Sequence, residues 1–341
     1  MANTSSEHAL GDAHYPATHR RLRANAHIRE LAASVTLDYR DFIQPLFVDE
    51  NLSERKESSG MPGVFSETRE SVIASVESDI AAGVRKFVLF PVPSGKSHHP
   101  YGADFDFAAS VVAAVKRRFG ADIWLACDLC LCSYTEHGHC GILSADGARL
   151  LNNETVYTLA EYALRLAEAG ADCIAPSDMS DGRIHAIRTV LDVNNFDHVA
   201  VMSYASKFAS AFYGPFRDVC KSTPSASIQL QGRSTYQLSP FNLSDALASA
   251  ERDIAEGADI IMVKPAVPYL DVVARLSERL LAPLAVYHVS GEYAAIELLA
   301  REGLIDRRAG HLELWTSFKR AGASIVISYA AREARGWIQG L

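Results

Sequence analysis

From residue 42 onward, eight short runs rich in β-branched and aromatic residues alternate with longer segments of helical period. This alternation constrains the fold more than any other feature. Parallel strands buried on both faces read as continuous apolar runs, and each needs a helical crossover to reach the next. The strand candidates are Phe42 to Val48, Lys86 to Phe90, Ile123 to Leu129, Cys173 to Ser177, Val199 to Tyr204, Ile260 to Lys264, Leu284 to Val289 and Ser324 to Tyr329. Helix candidates fall at Ser66 to Ala82, Phe105 to Phe119, Glu154 to Ala169, Gly182 to Val193, Ala205 to Phe212, Leu243 to Glu256, Pro268 to Leu280, Glu292 to Arg301 and Arg308 to Ala321. Four of them run into Gly83, Gly170, Gly257 and Gly322, as helices that stop before a strand commonly do. The fold class expected is α/β, a single (β/α)8 TIM barrel. An open doubly wound sheet would be expected to carry a phosphate-binding glycine motif, and neither G-x-G-x-x-G nor G-x-x-x-x-G-K-[ST] occurs.

A barrel needs about 250 residues, so a chain of 341 leaves room for extensions. Residues 1–35 are polar and rich in His, Arg and Ala, and read as an N-terminal arm ahead of a catalytic barrel at 36–341. Ile28, Leu31 and Val35 at three- to four-residue spacing fit packing on a neighbouring subunit, and a flexible tail is the competing reading. Lys and Arg number 33 against 41 Asp and Glu, a net charge of -8. That balance opposes nucleic-acid and anionic-membrane partners. With no targeting h-region and no apolar run of about 18 residues, a cytoplasmic protein is expected.

In such a barrel the site lies at the carboxyl ends of the strands. Polar residues there are Asp128, Cys130 and Cys132 after strand three, Ser177 and Asp178 after four, Ser203 and Lys207 at five, Lys264 ending six, Ser290 after seven and Tyr329 after eight. Lys264 closes the apolar run IIMVK, where desolvation favours the neutral, nucleophilic amine. Taken alone, it could equally snorkel from the barrel mouth or pair with a carboxylate. Lys207, expected just beyond the adjacent strand, places a second cation nearby, and such a neighbour activates a lysine toward carbonyl substrates.

Cys130, Cys132 and Cys140 form C-x-C-x7-C in CDLCLCSYTEHGHCG. Three thiolates suit zinc and leave a coordination position open, the pattern of a catalytic site. A closed structural site with His137 or His139 as fourth ligand is the alternative. Cys127 and Cys173 read as core, and Cys220 as isolated. Arg217 in FYGPFRD has the fork that grips a carboxylate. Residues 218–240 lack periodicity, contain Lys221, Arg233 and Gln237, and read as an active-site lid.

The segments RRLRANAHIRELAAS, DFIQPLFV, CDLCLCSYTEHGHCG, APSDMSDGRI, MSYASKFASAFYGPFRD, TYQLSP, GADIIMVKPAVPYLD and VYHVSGEY closely resemble the delta-aminolevulinic acid dehydratases, also called porphobilinogen synthases. The resemblance implies condensation of two 5-aminolevulinate molecules to porphobilinogen with loss of two waters, a lyase step of tetrapyrrole (heme, porphyrin) biosynthesis. It makes Lys264 the Schiff-base lysine and Lys207 the second active-site lysine, with Asp128 assisting proton transfer. Ser290 and Tyr329 then bind the carboxylate of the first substrate. Arg217, Arg233 and Gln237 bind that of the second, and Ser177 and Asp178 line the pocket. It makes Cys130, Cys132 and Cys140 ligands of one catalytic zinc per subunit.

Ser249 stands where a glutamate serves an allosteric magnesium site in part of the family, so that site is not expected. Thr235 replaces the cysteine of a second zinc. The family assembles homo-octamers through N-terminal arms, which implies the same partner here. A class I aldolase would need the lysine without the cysteines, and a zinc-stabilised scaffold would need neither lysine.

Overall fold

The computed structural model describes residues 19–97, 100 and 103–340. Its described residues fall into two compact units that divide between Thr36 and Leu37. In the first, a 3-10 turn at His19–Arg23 precedes a short helix, Ala26–Leu31, capped by Asn25, whose Oδ1 accepts from the Ile28 amide at 3.1 Å. Ile28 and Leu31 therefore lie on the helix, while Val35 falls beyond its end. Residues 1–18 of the expected arm lie outside the described residues.

The second unit is a closed barrel of eight parallel strands: β1 Phe42–Asp49, β2 Lys86–Val92, β3 Trp124–Leu129, β4 Cys173–Pro176, β5 Ala200–Lys207, β6 Ile260–Lys264, β7 Leu284–His288 and β8 Ile325–Ser328. Each pairs with the next, and β1 closes on β8 through Phe42 opposite Val326 and Ile43 opposite Ile327. Further along β1, a short ribbon strand, Phe65–Glu67, takes over its free edge. The helices are α1 Ser71–Ala81, α2 Asp106–Phe119, α3 Asn152–Glu168, α4 Arg183–Val193, α5 Gly214–Val219, α6 Leu243–Ala255, α7 Leu270–Ser277, α8 Ser290–Arg301, α9 Arg307–Arg320 and α10 Ala334–Ile338. All eight residues of β1 are buried, the two-sided burial that its continuous apolar run predicts. Gly83, Gly170, Gly257 and Gly322 adopt φ of 98° to 108° just past α1, α3, α6 and α9, where any side chain would be strained.

Two helix expectations fail, each for a tertiary reason. Residues 66–70 are not helical. The ribbon strand claims Ser66 and Glu67, and the Thr68 hydroxyl accepts from the Glu70 and Ser71 amides to start α1 at Ser71. The run 205–212, rich in Ala and Ser, reads as helix but extends β5 to Lys207 after a register shift between Ser203 and Ser206. Its backbone then finds partners across the barrel mouth: Phe208 donates to the Lys264 carbonyl at 2.9 Å, and Ala209 to that of Leu238 at 2.8 Å. Local propensity is worth a few tenths of a kcal/mol per residue and yields to two satisfied ladders. The helical turn comes later, as α5.

Aromatic rings floor the carboxyl end of the barrel. Phe90 on β2 and Tyr204 on β5 both approach Tyr287 on β7, at 6.3 and 6.4 Å between centroids, contacts that only inward-facing rings of non-adjacent strands can make. Phe47 and Tyr329 stack beside them at 6.1 Å. Among the described residues no helix is long and apolar enough to cross a membrane.

Candidate active site

Lys207 and Lys264 are paired residues in the β5–β6 register. Lys207 is therefore the last residue of its strand rather than one beyond it. Both side chains are buried. The Lys207 ammonium donates to the Ser177 carbonyl at the end of β4. Lys264 Nζ stands 4.0 Å from the Tyr287 ring centroid, 4.8 Å from Phe216, 5.0 Å from Tyr204 and 5.6 Å from Tyr213.

Four rings offer cation–π attraction, worth up to about 2 kcal/mol when desolvated. Burial works against the charge, and the Lys207 cation adds to it. Together they bring the Lys264 amine down from 10.5 to about 7. At about 1.4 kcal/mol per pKa unit, desolvation and like charge outweigh the rings. Burial raises Asp128, the half-buried carboxylate on β3, to about 6 against the pull of both lysines. Its Oδ1 has no hydrogen-bond partner among the described residues. The site thus holds an amine and a carboxyl group that both exchange protons near neutrality, the condition for acid–base work at pH 7.

Beside them, Cys130, Cys132 and Cys140 bring their sulfurs within 4.8 Å of one another, all buried. Hydrogen bonds from the Cys130 and Cys132 thiols hold Cys140 well below its usual value. Hydrogen bonds to Cys132 and Cys140, together with burial, push Cys130 up. Three soft donors converging from one loop fit a tetrahedral zinc, whose ~2.3 Å bonds to sulfur place ligand sulfurs roughly 3.8 Å apart. His137 and His139, the alternative fourth ligands, do not join the converging group. His139 is hydrogen-bonded through both ring nitrogens, to the Tyr236 hydroxyl and the Leu230 carbonyl, and burial lowers its pKa.

Of residues 218–240, the first two end α5 and the irregular remainder lies against this loop. Arg233 is buried and donates to the carbonyls of Gly138 and Ser222, at 2.8 and 2.7 Å. Arg217, on α5, is half-buried over Tyr213, and burial lowers its pKa, with Arg233 contributing. The Nε atoms of Arg217 and Arg233 and both amide atoms of Gln237 are buried with no partner among the described residues. Buried polar groups of that kind normally mark where a polar ligand or water docks.

Ser290 opens α8, where its hydroxyl accepts from the Phe216 amide and donates to the Phe212 carbonyl, both at 3.1 Å. Tyr329 accepts from the Tyr287 hydroxyl at 3.2 Å. Two other candidates join a buried polar network around Arg183. Asp178 is held 3.4 Å from the Arg183 guanidinium, and the Ser203 hydroxyl donates to Asp253 at 2.6 Å. Ser249 is buried on α6 and accepts from Arg252 at 3.0 Å.

The sequence reading did not find the aromatic box, Arg183 or Glu292. Glu292 accepts from the Val267 and Val289 amides, both at 2.7 Å, and so ties the turn after Lys264 to the turn after β7; burial raises it to about 8. Aromatics at strand ends were a readable signal. A buried Arg or Glu on an otherwise amphipathic helix left none.

A family model described as delta-aminolevulinic acid dehydratase matches residues 17–337. The delta-aminolevulinic acid dehydratase of Helicobacter pylori is 42% identical over 324 residues, 94% of this chain and 98% of that protein. That of Synechococcus elongatus is 41% identical over 323 residues, with the same coverage. Among solved structures, the delta-aminolevulinic acid dehydratase (porphobilinogen synthase) of Toxoplasma gondii, in complex with the reaction product porphobilinogen, matches with a TM-score of 0.90 at 36% identity. It covers 95% of this chain and 92% of that one.

Proposed function

The chain belongs to the delta-aminolevulinic acid dehydratase family, and from that premise we propose that it condenses two 5-aminolevulinate molecules into porphobilinogen with loss of two waters, Lys264 supplying the nucleophile. The observation that carries this reading is the pairing of Lys207 with Lys264 at the end of β5 and β6, with Lys264 boxed by aromatic rings and its amine brought to about 7.

The neutral Lys264 Nζ attacks the ketone carbon of one substrate. The carbonyl oxygen takes up protons and leaves as water, and the nitrogen keeps a double bond to carbon as a Schiff base. Its positive charge makes the imine carbon an electrophile for the carbon beside the second substrate's ketone, whose proton a group titrating near neutrality accepts, the role given to Asp128. The first substrate's amine then closes on that ketone, whose oxygen leaves as the second water, and the Lys264 amine is expelled. Lys207 holds the amine deprotonated and engages the other substrate. Ser290 and Tyr329 receive the first carboxylate. Arg217, Arg233 and Gln237, with their unpartnered buried atoms, receive the second. Ser177 positions the Lys207 amine, and Asp178 contributes from its pairing with Arg183.

Cys130, Cys132 and Cys140 would hold one zinc per subunit, which would supply a Lewis acid or an activated water. Allosteric magnesium is not part of the reading, because Ser249 offers a hydroxyl already engaged by Arg252. The hydro-lyase class, an N-terminal arm at 1–35 before the catalytic barrel at 36–341, a lid at 218–240, a homo-octamer and a cytoplasmic location complete it, supported by family membership.

The test is to incubate the protein with 5-aminolevulinate, trap with borohydride, and map the added mass while assaying porphobilinogen. Adduct on Lys264 together with product is expected. Product without adduct at Lys264 would overturn its role, and neither in a zinc-replete sample would overturn the reaction.

A further inference from the structure

A directional chain of hydrogen bonds joins the cysteine loop to the irregular segment above it. His139 Nε2 lies 3.1 Å from the Leu230 carbonyl, which can only accept, so Nε2 carries the ring proton. Nδ1 of the neutral ring is then an acceptor, and the Tyr236 hydroxyl, 3.0 Å away, donates to it. The same hydroxyl oxygen accepts from the backbone amide of Cys140 at 3.4 Å. Tyr236 also packs against the cysteine cluster.

Other contacts run alongside. Ser225 donates to the His137 carbonyl at 3.0 Å, and Leu230 to that of Gly147 at 2.9 Å. The two segments approach so closely that a Cβ on Gly138 would stand 2.5 Å from the Thr223 carbonyl oxygen.

We propose that Tyr236 is a positioning residue that couples metal occupancy at Cys130, Cys132 and Cys140 to closure of residues 223–238. The inference deepens the metal reading above and rests on it. A bound metal fixes the direction of the Cys140 backbone, and with it the amide that Tyr236 accepts from. A closed segment fixes the same amide from the other side. Coupling between two equilibria is reciprocal, so the factor by which metal slows opening is the factor by which closure tightens metal binding.

Two measurements on the full chain test this. One is zinc affinity by competition with a chromophoric chelator, for the wild type and for Tyr236→Phe. The other is hydrogen exchange of peptides covering 223–238, with zinc loaded and with zinc stripped. The phenylalanine keeps the ring and removes only the hydroxyl, so the fold is retained and circular dichroism checks it.

The expected results are zinc binding weakened roughly 10-fold in Tyr236→Phe, in line with other groups that orient metal ligands, and segment exchange that accelerates on stripping in the wild type but responds little to zinc in the variant. Wild-type zinc affinity in Tyr236→Phe, even with a lowered melting temperature, would reduce the residue to packing and overturn the proposal. So would exchange indifferent to zinc in the wild type. A wild type that takes up no zinc at all would overturn the metal reading, and this inference with it.

Discussion

At the scale of single residues, the chemistry turns on the charge state of Lys264. A protonated amine has no lone pair to attack with, so adduct formation rises with pH as the amine titrates near 7. Burial is the larger cause of that low value and the Lys207 cation the second. Lys207→Met leaves the burial and removes the cation. The folded-state pKa of Lys264 then climbs, and the rise in borohydride-trapped adduct moves to higher pH by roughly one unit. The pH dependence of the trapping rate measures this directly, and an unmoved profile would mean that Lys207 does not tune its neighbour. Nothing in composition or spacing separates 7 from 10.5. The apolar run ahead of Lys264 showed that the amine would be desolvated, but the rings of Tyr204, Tyr213, Phe216 and Tyr287 come from three different segments.

Among the elements, the join between β4, β5, α4 and α6 depends on Arg183. Its guanidinium donates to the Ser180 carbonyl at 3.2 Å, to Ser203 at 3.1 Å and to Asp253 at 3.1 Å, with Asp178 at 3.4 Å, and the residue is 1% exposed. Arg183→Met would leave buried Asp178 without its cation and buried Asp253 with only the partly exposed Arg252, at 3.6 Å. The expected loss is about 3–5 kcal/mol of stability, read from a urea midpoint. The surface pair Arg118–Glu77, half-exposed on both sides, provides the contrast. Arg118→Ala should cost under about 1 kcal/mol, and equal losses in the two variants would show that burial does not set the scale. The sequence marked Arg183 as no more than a first-turn helix residue, since the two partners that tie it to other elements, Ser203 and Asp253, lie 20 and 70 positions away.

For the molecule as a whole, the three cysteines with Tyr236 form a small cluster of their own, apart from the continuous hydrophobic core of the barrel. A metal held there is not what holds the barrel together. Chelation should therefore abolish porphobilinogen formation while the thermal midpoint of the barrel falls by no more than a few degrees. A midpoint that collapses on chelation would revive the zinc-stabilised scaffold. The eight-fold alternation of apolar runs and helical segments determined the barrel by itself, because a parallel strand and its crossover each carry a local period. It also put Lys264, Asp128 and Ser290 at strand ends, and adjacent spacing put Cys130 and Cys132 together. What only the tertiary structure decided is how far β5 extends, which side chains wall the amine, that Asp178 and Ser203 serve a buried arginine, and that Tyr236 reaches the cysteine loop. Those outcomes depend on burial and on partners distant in sequence, and neither leaves a period or a spacing in the chain.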